Sequence, residues 1–125
     1  MVARSVANKA VVLVVEDEPL VRMAAIDLVE EAGLEALEAK NADEAIRILE
    51  ARSDIQIVFT DIDMPGSMDG LKLAAAVRGR WPPIEIIVTS GHYNIRDDEL
   101  PDRGVFFRKP YDHRKVIATL QRMAA

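Results

Sequence analysis

The chain has 125 residues, half of them apolar and 30% charged, with 16 Lys and Arg against 21 Asp and Glu and a net charge of −5. That size and balance fit one domain with a core of its own and exclude a globally disordered chain. Zero cysteines exclude a disulfide framework, thiol catalysis and thiolate metal sites, and the acidic balance argues against direct nucleic-acid binding.

Residues 1–8 are small and polar and read as a flexible N-terminal tail, leaving 9–125 as the folded domain with no output domain. The aliphatic run Ala10 to Val15 is too short for a membrane span or a signal core, so no membrane insertion is expected and the cytoplasm is the default location. It reads instead as a first strand. Pro19 and Gly33 bracket a first helix, in which Leu20, Ala24 and Leu28 recur at helical spacing beside Val21, Ala25 and Ala32. Leu34 to Glu38 is a weak second strand. Asn41, with Glu44 three residues on, caps a second helix that buries Ala42, Ala45, Ile46 and Leu49.

Ile55 to Thr60 is the third strand. Leu71 to Arg80 is a helix burying Leu73, Ala74 and Val77, ended by Pro82 and Pro83. Ile84 to Thr89 is the fourth strand. The fourth helix, Asn94 to Leu100, has only Ile95 and Leu100 as apolar anchors before Pro101 and is expected to be short or mobile. Gly104 to Phe107 is the last strand, and a helix from about Asp112 to Met123 packs through Val116, Ile117, Leu120 and Met123. Near-continuous apolar runs suit strands buried on both faces of a parallel sheet. Five βα units are too few for an eight-stranded barrel and predict an open, doubly wound (βα)5 sheet of flavodoxin-like order 2-1-3-4-5.

In such a sheet, ligands bind at the carboxyl ends of the strands. Those ends carry Glu16, Asp17 and Glu18, then Asp61 and Asp63, then Thr89, Ser90 and Gly91, then Arg108, Lys109 and Pro110. Two carboxylates about 4 Å apart repel by roughly 4 kcal/mol at an effective dielectric near 20. Lys109 offsets part of this, so the cluster must raise a pKa or bind a cation. Hard carboxylate oxygens suit Mg²⁺, and the absence of His or Cys from the rim argues against zinc. Mg²⁺, a hydroxyl and a lysine beside a carboxylate are what phosphoryl transfer requires, with Asp61 as a nucleophile that needs no general base.

These residues, in order and across about Val11 to Met123, resemble the receiver domain of two-component response regulators. The matching segments are Val15-Glu16-Asp17-Glu18-Pro19, Thr60-Asp61-Ile62-Asp63-Met64-Pro65 with Met68-Asp69-Gly70, Thr89-Ser90-Gly91 and Lys109-Pro110. The resemblance implies that Asp61 accepts phosphate from a phosphohistidine of a histidine kinase or phosphotransfer protein. It implies that Glu16, Asp17, Asp61 and the backbone carbonyl of Asp63 hold Mg²⁺, and that Ser90 and Lys109 contact the phosphoryl oxygens. It further implies a switch through Ser90 and Phe106 on the face of helix 4, strand 5 and helix 5, which controls a separate partner protein. A cis peptide at Lys109-Pro110 and tuning of phosphate lifetime by Asp63 and His92 complete the pattern. The chain departs from it with Glu16 where Asp is frequent, Phe106 where Tyr is frequent, and one extra residue in the Gly66-Ser67 loop.

Two other readings share these residues. Asp61-Ile62-Asp63 is a D-x-D like that of haloacid-dehalogenase phosphatases, but there it follows the first core strand, and here the acid pair comes first. A phosphorylation-independent binding module on the same fold is the other. The receiver reading carries no enzymatic activity beyond the chain's own phosphoryl transfer and dephosphorylation.

Overall fold

The computed structural model describes residues 9–66, 68–92 and 94–125; the expected tail, 1–8, lies outside the described residues, as does Ser67. Five parallel strands, β1 (Val11–Val15), β2 (Glu35–Ala39), β3 (Ile55–Asp61), β4 (Glu85–Ser90) and β5 (Val105–Arg108), form one sheet in the order β2-β1-β3-β4-β5. The helices are α1 (Pro19–Glu31), α2 (Ala42–Ala51), α3 (Gly70–Arg80) and α4 (His113–Ala124). The predicted doubly wound α/β sheet is the fold observed.

Alternation along each strand explains the two-layered core. Val11, Leu13 and Val15 point to the cluster shared with α2 and α3, while Val12 and Val14 point to the one shared with α1 and α4. Covering on both faces is why β1, β3 and β4 are near-continuous apolar runs. The edge strand β2 keeps Glu35 and Glu38 exposed, which discourages pairing with another chain.

Local signals set the helix ends. The Asn41 side chain accepts from the Glu44 N–H at 2.8 Å, and Glu44 reaches back to the Lys40 N–H at 3.0 Å. Asp69 and Asp112 cap α3 and α4 in the same way, through the N–H groups of Lys72 and Arg114.

One expectation is corrected. The α1 stripe is rotated: Ala25, Leu28, Val29 and Ala32 are buried, whereas Leu20 is 74% exposed and Met23 59% exposed. Each i+4 step overshoots a turn by about 40°, so a row starting at Leu20 begins well off the face that Leu28 shares with Val29. The fourth helix, expected to be short or mobile, is short: a single 3₁₀ turn, Asp97–Glu99. Three consecutive acids followed by Leu100-Pro101 supply neither an apolar stripe nor room to continue.

Candidate acidic phosphoryl-acceptor site

Strand register brings the chemistry together. Val15 pairs with Thr60, Asp61 with Thr89 and Ser90 with Arg108. Glu16, Asp61, Ser90 and Lys109 therefore emerge on one rim, at the point between β1 and β3 where the strand order reverses. Backbone bonds fix each exit: Glu16 N–H to Ala39 O at 3.0 Å, Ile62 N–H to Thr89 O at 2.9 Å, and Lys109 N–H to Ser90 O at 2.9 Å.

Carboxylate oxygens of Glu16, Asp17 and Asp61 all lie within 4.8 Å of one another. Glu16 and Asp61 are buried, while Asp17 is exposed. The Lys109 ammonium sits 3.2 Å from Glu16 Oε1 and 3.1 Å from Asp61 Oδ1. Its approach to Asp61 is off the hydrogen-bond direction, so that buried oxygen has a charge partner but no aligned donor. Burial pushes the Asp61 carboxyl above the usual carboxylate range, opposed by Lys109 and assisted by Asp63 and Asp17. Burial also raises Glu16, against the Glu18 N–H bond and with repulsion from Asp61. Lys109 is held above its usual value because Asp61 and Glu16 outweigh its own burial.

One ammonium cannot neutralise three acids, and Asp61 Oδ1 lacks a donor. These residues therefore fit a hard divalent cation such as Mg²⁺.

A second cluster adjoins the first. The Ser90 hydroxyl donates to Asp63 Oδ2 at 3.0 Å and accepts from the His92 N–H at 3.1 Å. The rim carries a histidine after all: His92 Nδ1 is 3.2 Å from Asp63 Oδ2, on a side chain 80% exposed. Phe106 is half-buried against the α2/α3 core, and the Lys109-Pro110 peptide is cis.

Two further residues, Arg22 and Tyr111, were not singled out from the sequence, and Gly70 was quoted there only as part of a motif. Arg22 bonds the Glu16 carbonyl at 2.9 Å and Glu38 at 2.8 Å, steadying the turn that holds the acid pair. Tyr111 packs its ring 6.3 Å from Phe59 and 6.4 Å from Phe107 beneath Lys109, where burial raises its hydroxyl pKa. A Cβ on Gly70 would lie 2.0 Å from the Asp61 carbonyl oxygen, so residue 70 must be glycine for α3 to meet the end of β3. Only Gly70 stood in a recognisable motif; Arg22 and Tyr111 act across elements, and no local spacing marks them.

The geometry defines a class: an α/β domain with an acidic, lysine-anchored cluster at the sheet's switch point. Residues 12–121 match the family model of the response regulator receiver domain, and the chain belongs to that family. It is 30% identical over 115 residues, 89% of the chain and 25% of the relative, to the nitrogen assimilation regulatory protein NtrX of Azorhizobium caulinodans. It is 31% identical over 125 residues, 97% of the chain and 13% of the relative, to the sensor kinase CckA of Brucella abortus. The chain thus spans a quarter or less of these two curated relatives. Among solved structures, a response regulator receiver protein from Pseudomonas putida superposes with a TM-score of 0.80 at 30% identity, covering 91% of this chain and 97% of that one. The response regulator TrrA from Thermotoga maritima, solved in complex with Mg²⁺-BeF, gives 0.73 at 28% identity, covering 89% and 98%. Among the described residues no helix is long and apolar enough to cross a membrane.

Proposed function

We propose that Asp61 accepts a phosphoryl group from the phosphohistidine of a sensor histidine kinase or a histidine phosphotransfer protein, and that the acyl phosphate switches the domain's conformation to control a partner protein. The observation carrying this reading is the convergence of two further carboxylates and the Lys109 ammonium on buried Asp61, in a member of the receiver family.

In the transfer, a carboxylate oxygen of Asp61 bonds to phosphorus while the P–N bond to the donor imidazole breaks, and its electron pair leaves with the imidazole. Lys109 favours the ionised acceptor and offers its charge to a phosphoryl oxygen. Glu16, Asp17, Asp61 and the backbone carbonyl of Asp63 would hold Mg²⁺, which when bound supplies positive charge to the acceptor and to the incoming phosphoryl oxygens. The complex of TrrA with Mg²⁺-BeF supports that assignment.

Ser90 must give up its bond to Asp63 before its hydroxyl can reach a phosphoryl oxygen. Phe106 then turns inward behind it, and the face formed by the 3₁₀ turn, β5 and α4 carries the change to the partner. Asp63 and His92, which surround the Ser90 hydroxyl, tune the lifetime of the phosphate. The chain turns over no other substrate in this scheme and is not an enzyme; a cytoplasmic location goes with the role.

Phosphotransfer from a panel of purified histidine kinases and phosphotransfer proteins tests the reading. A hydroxylamine-sensitive label that Asp61→Asn abolishes is expected. A label that survives Asp61→Asn overturns it.

A further inference from the structure

Beside the acceptor loop lies an open groove of about 490 Å³, within the size range of ligand pockets, roughly 300–1,000 Å³. Its apolar floor includes Met64, Leu71 and Ile95, all half-buried against the α2/α3 core. Its rim carries the carboxylates of Asp63, Asp69 and Glu99. One wall of the groove comes from Ile95 and Glu99, in and beside the single 3₁₀ turn Asp97–Glu99.

The charge at the rim selects the occupant. Among the described residues, Asp63 and Asp69 form no ion pair with Lys or Arg, and Arg96 is held by Asp98 at 3.0 Å and Glu99 at 3.7 Å. Three acids with one cation already engaged repel nucleic acid and anionic membranes. They attract Lys and Arg side chains, while the floor takes the apolar residues of the same segment.

The geometry points to this groove as a docking site for a cationic amphipathic helix of a partner protein, its apolar residues on Met64, Leu71 and Ile95 and its basic residues on Asp63, Asp69 and Glu99. Asp63 serves two masters, since it also accepts the Ser90 hydroxyl. A partner cation drawing on Asp63 competes with that bond. By linkage, whatever takes Ser90 away from Asp63 changes the groove's affinity, and docking changes the freedom of Ser90 by the same factor. This coupling rests on the proposed phosphoryl switch; the docking itself does not.

The test is fluorescence anisotropy on the unphosphorylated chain with a labelled synthetic helix of Leu and Lys, and with its Leu/Glu counterpart. The Leu/Lys peptide is expected to bind, with affinity reduced about tenfold by Ile95→Ser and by the pair Asp69→Asn and Glu99→Gln, corresponding to about 1.4 kcal/mol. Leu20→Ser, on the exposed flank of α1 across the sheet, is expected to leave the affinity unchanged. Equal binding of the Leu/Glu peptide, no binding of the Leu/Lys peptide, or a loss with Leu20→Ser as large as with Ile95→Ser overturns the proposal. Because Asp61 carries no phosphate in this titration, its outcome is independent of the phosphoryl-transfer result.

Discussion

The carbonyl oxygen of Asp61 occupies the space that a side chain on Gly70 would need, 2.0 Å from where its Cβ would stand. The Gly70 N–H also bonds Ile62 O at 3.1 Å, so α3 is anchored directly behind Asp61. Leu73, Ala74 and Val77 are fully buried and leave the helix no room to retreat. Gly70→Ala is therefore expected to destabilise the fold by about 3 kcal/mol and to lower phosphorylation of Asp61. Urea denaturation and the extent of labelling by acetyl phosphate check both effects.

Lys109→Ala removes the charge partner of two buried carboxylates but none of the oxygens proposed to hold Mg²⁺. Stability of the metal-free protein at pH 7 is expected to fall by about 2 kcal/mol, and Mg²⁺ to add the same stabilisation to variant and parent. Mg²⁺ affinity itself is retained, while phosphorylation no longer shifts the Ser90 and Phe106 region. Calorimetric titration and amide spectra measure the two; a Mg²⁺ affinity lowered about tenfold would count against the assignment.

The acid cluster sets a pH dependence opposite in sign to that of an ordinary salt-bridged carboxylate. Asp61 and Glu16 are raised above their ordinary values of 3.8 and 4.5, chiefly by burial. The folded state then keeps protons that the unfolded chain has released. Metal-free stability is expected to fall as pH rises from those values through the raised ones, and Mg²⁺ to flatten the fall. Lys109 acts with the same sign in a higher window: its contribution is full below its ordinary value of 10.5 and lost as pH climbs through its raised folded value. Thermal melts across pH, with chelator and with Mg²⁺, reveal both limbs.

Asp63 holds the Ser90 hydroxyl at 3.0 Å and adds negative charge beside Asp61. Asp63→Ala removes the acceptor of the Ser90 hydroxyl and the repulsion toward a phosphoryl group. The phosphorylated fraction at a limiting acetyl phosphate concentration is expected to rise on the order of tenfold, for about 1.4 kcal/mol of relief. Phosphate-affinity electrophoresis reads the fraction; an unchanged or smaller one contradicts the role given to Asp63.

Most of the fold was legible because strands covered on both faces must be apolar throughout, and β1, β3 and β4 carry runs that few other elements tolerate. Caps at Asn41, Asp69 and Asp112 add local marks at three helix starts. The α1 stripe misled because Leu20 and Val21 start two competing apolar rows, and only packing on the sheet decides which turns inward. At the site, Glu16, Asp17, Asp61 and Lys109 were visible as groups following strands. The bond between Ser90 and Asp63 was not, because it joins residues 27 positions apart through side-chain rotation rather than register.

The proposed role of Asp61 as phosphoryl acceptor can be read directly from its covalent chemistry. Treatment with acetyl phosphate and Mg²⁺, followed by borohydride, reduces an acyl phosphate to the alcohol, and tandem mass spectrometry of the peptide locates it. Homoserine at position 61 in the parent chain, absent without Mg²⁺ and in Lys109→Ala reduced in amount, is the predicted result. An unmodified Asp61 under these conditions, or homoserine at Asp17 or Asp63 instead, contradicts the account.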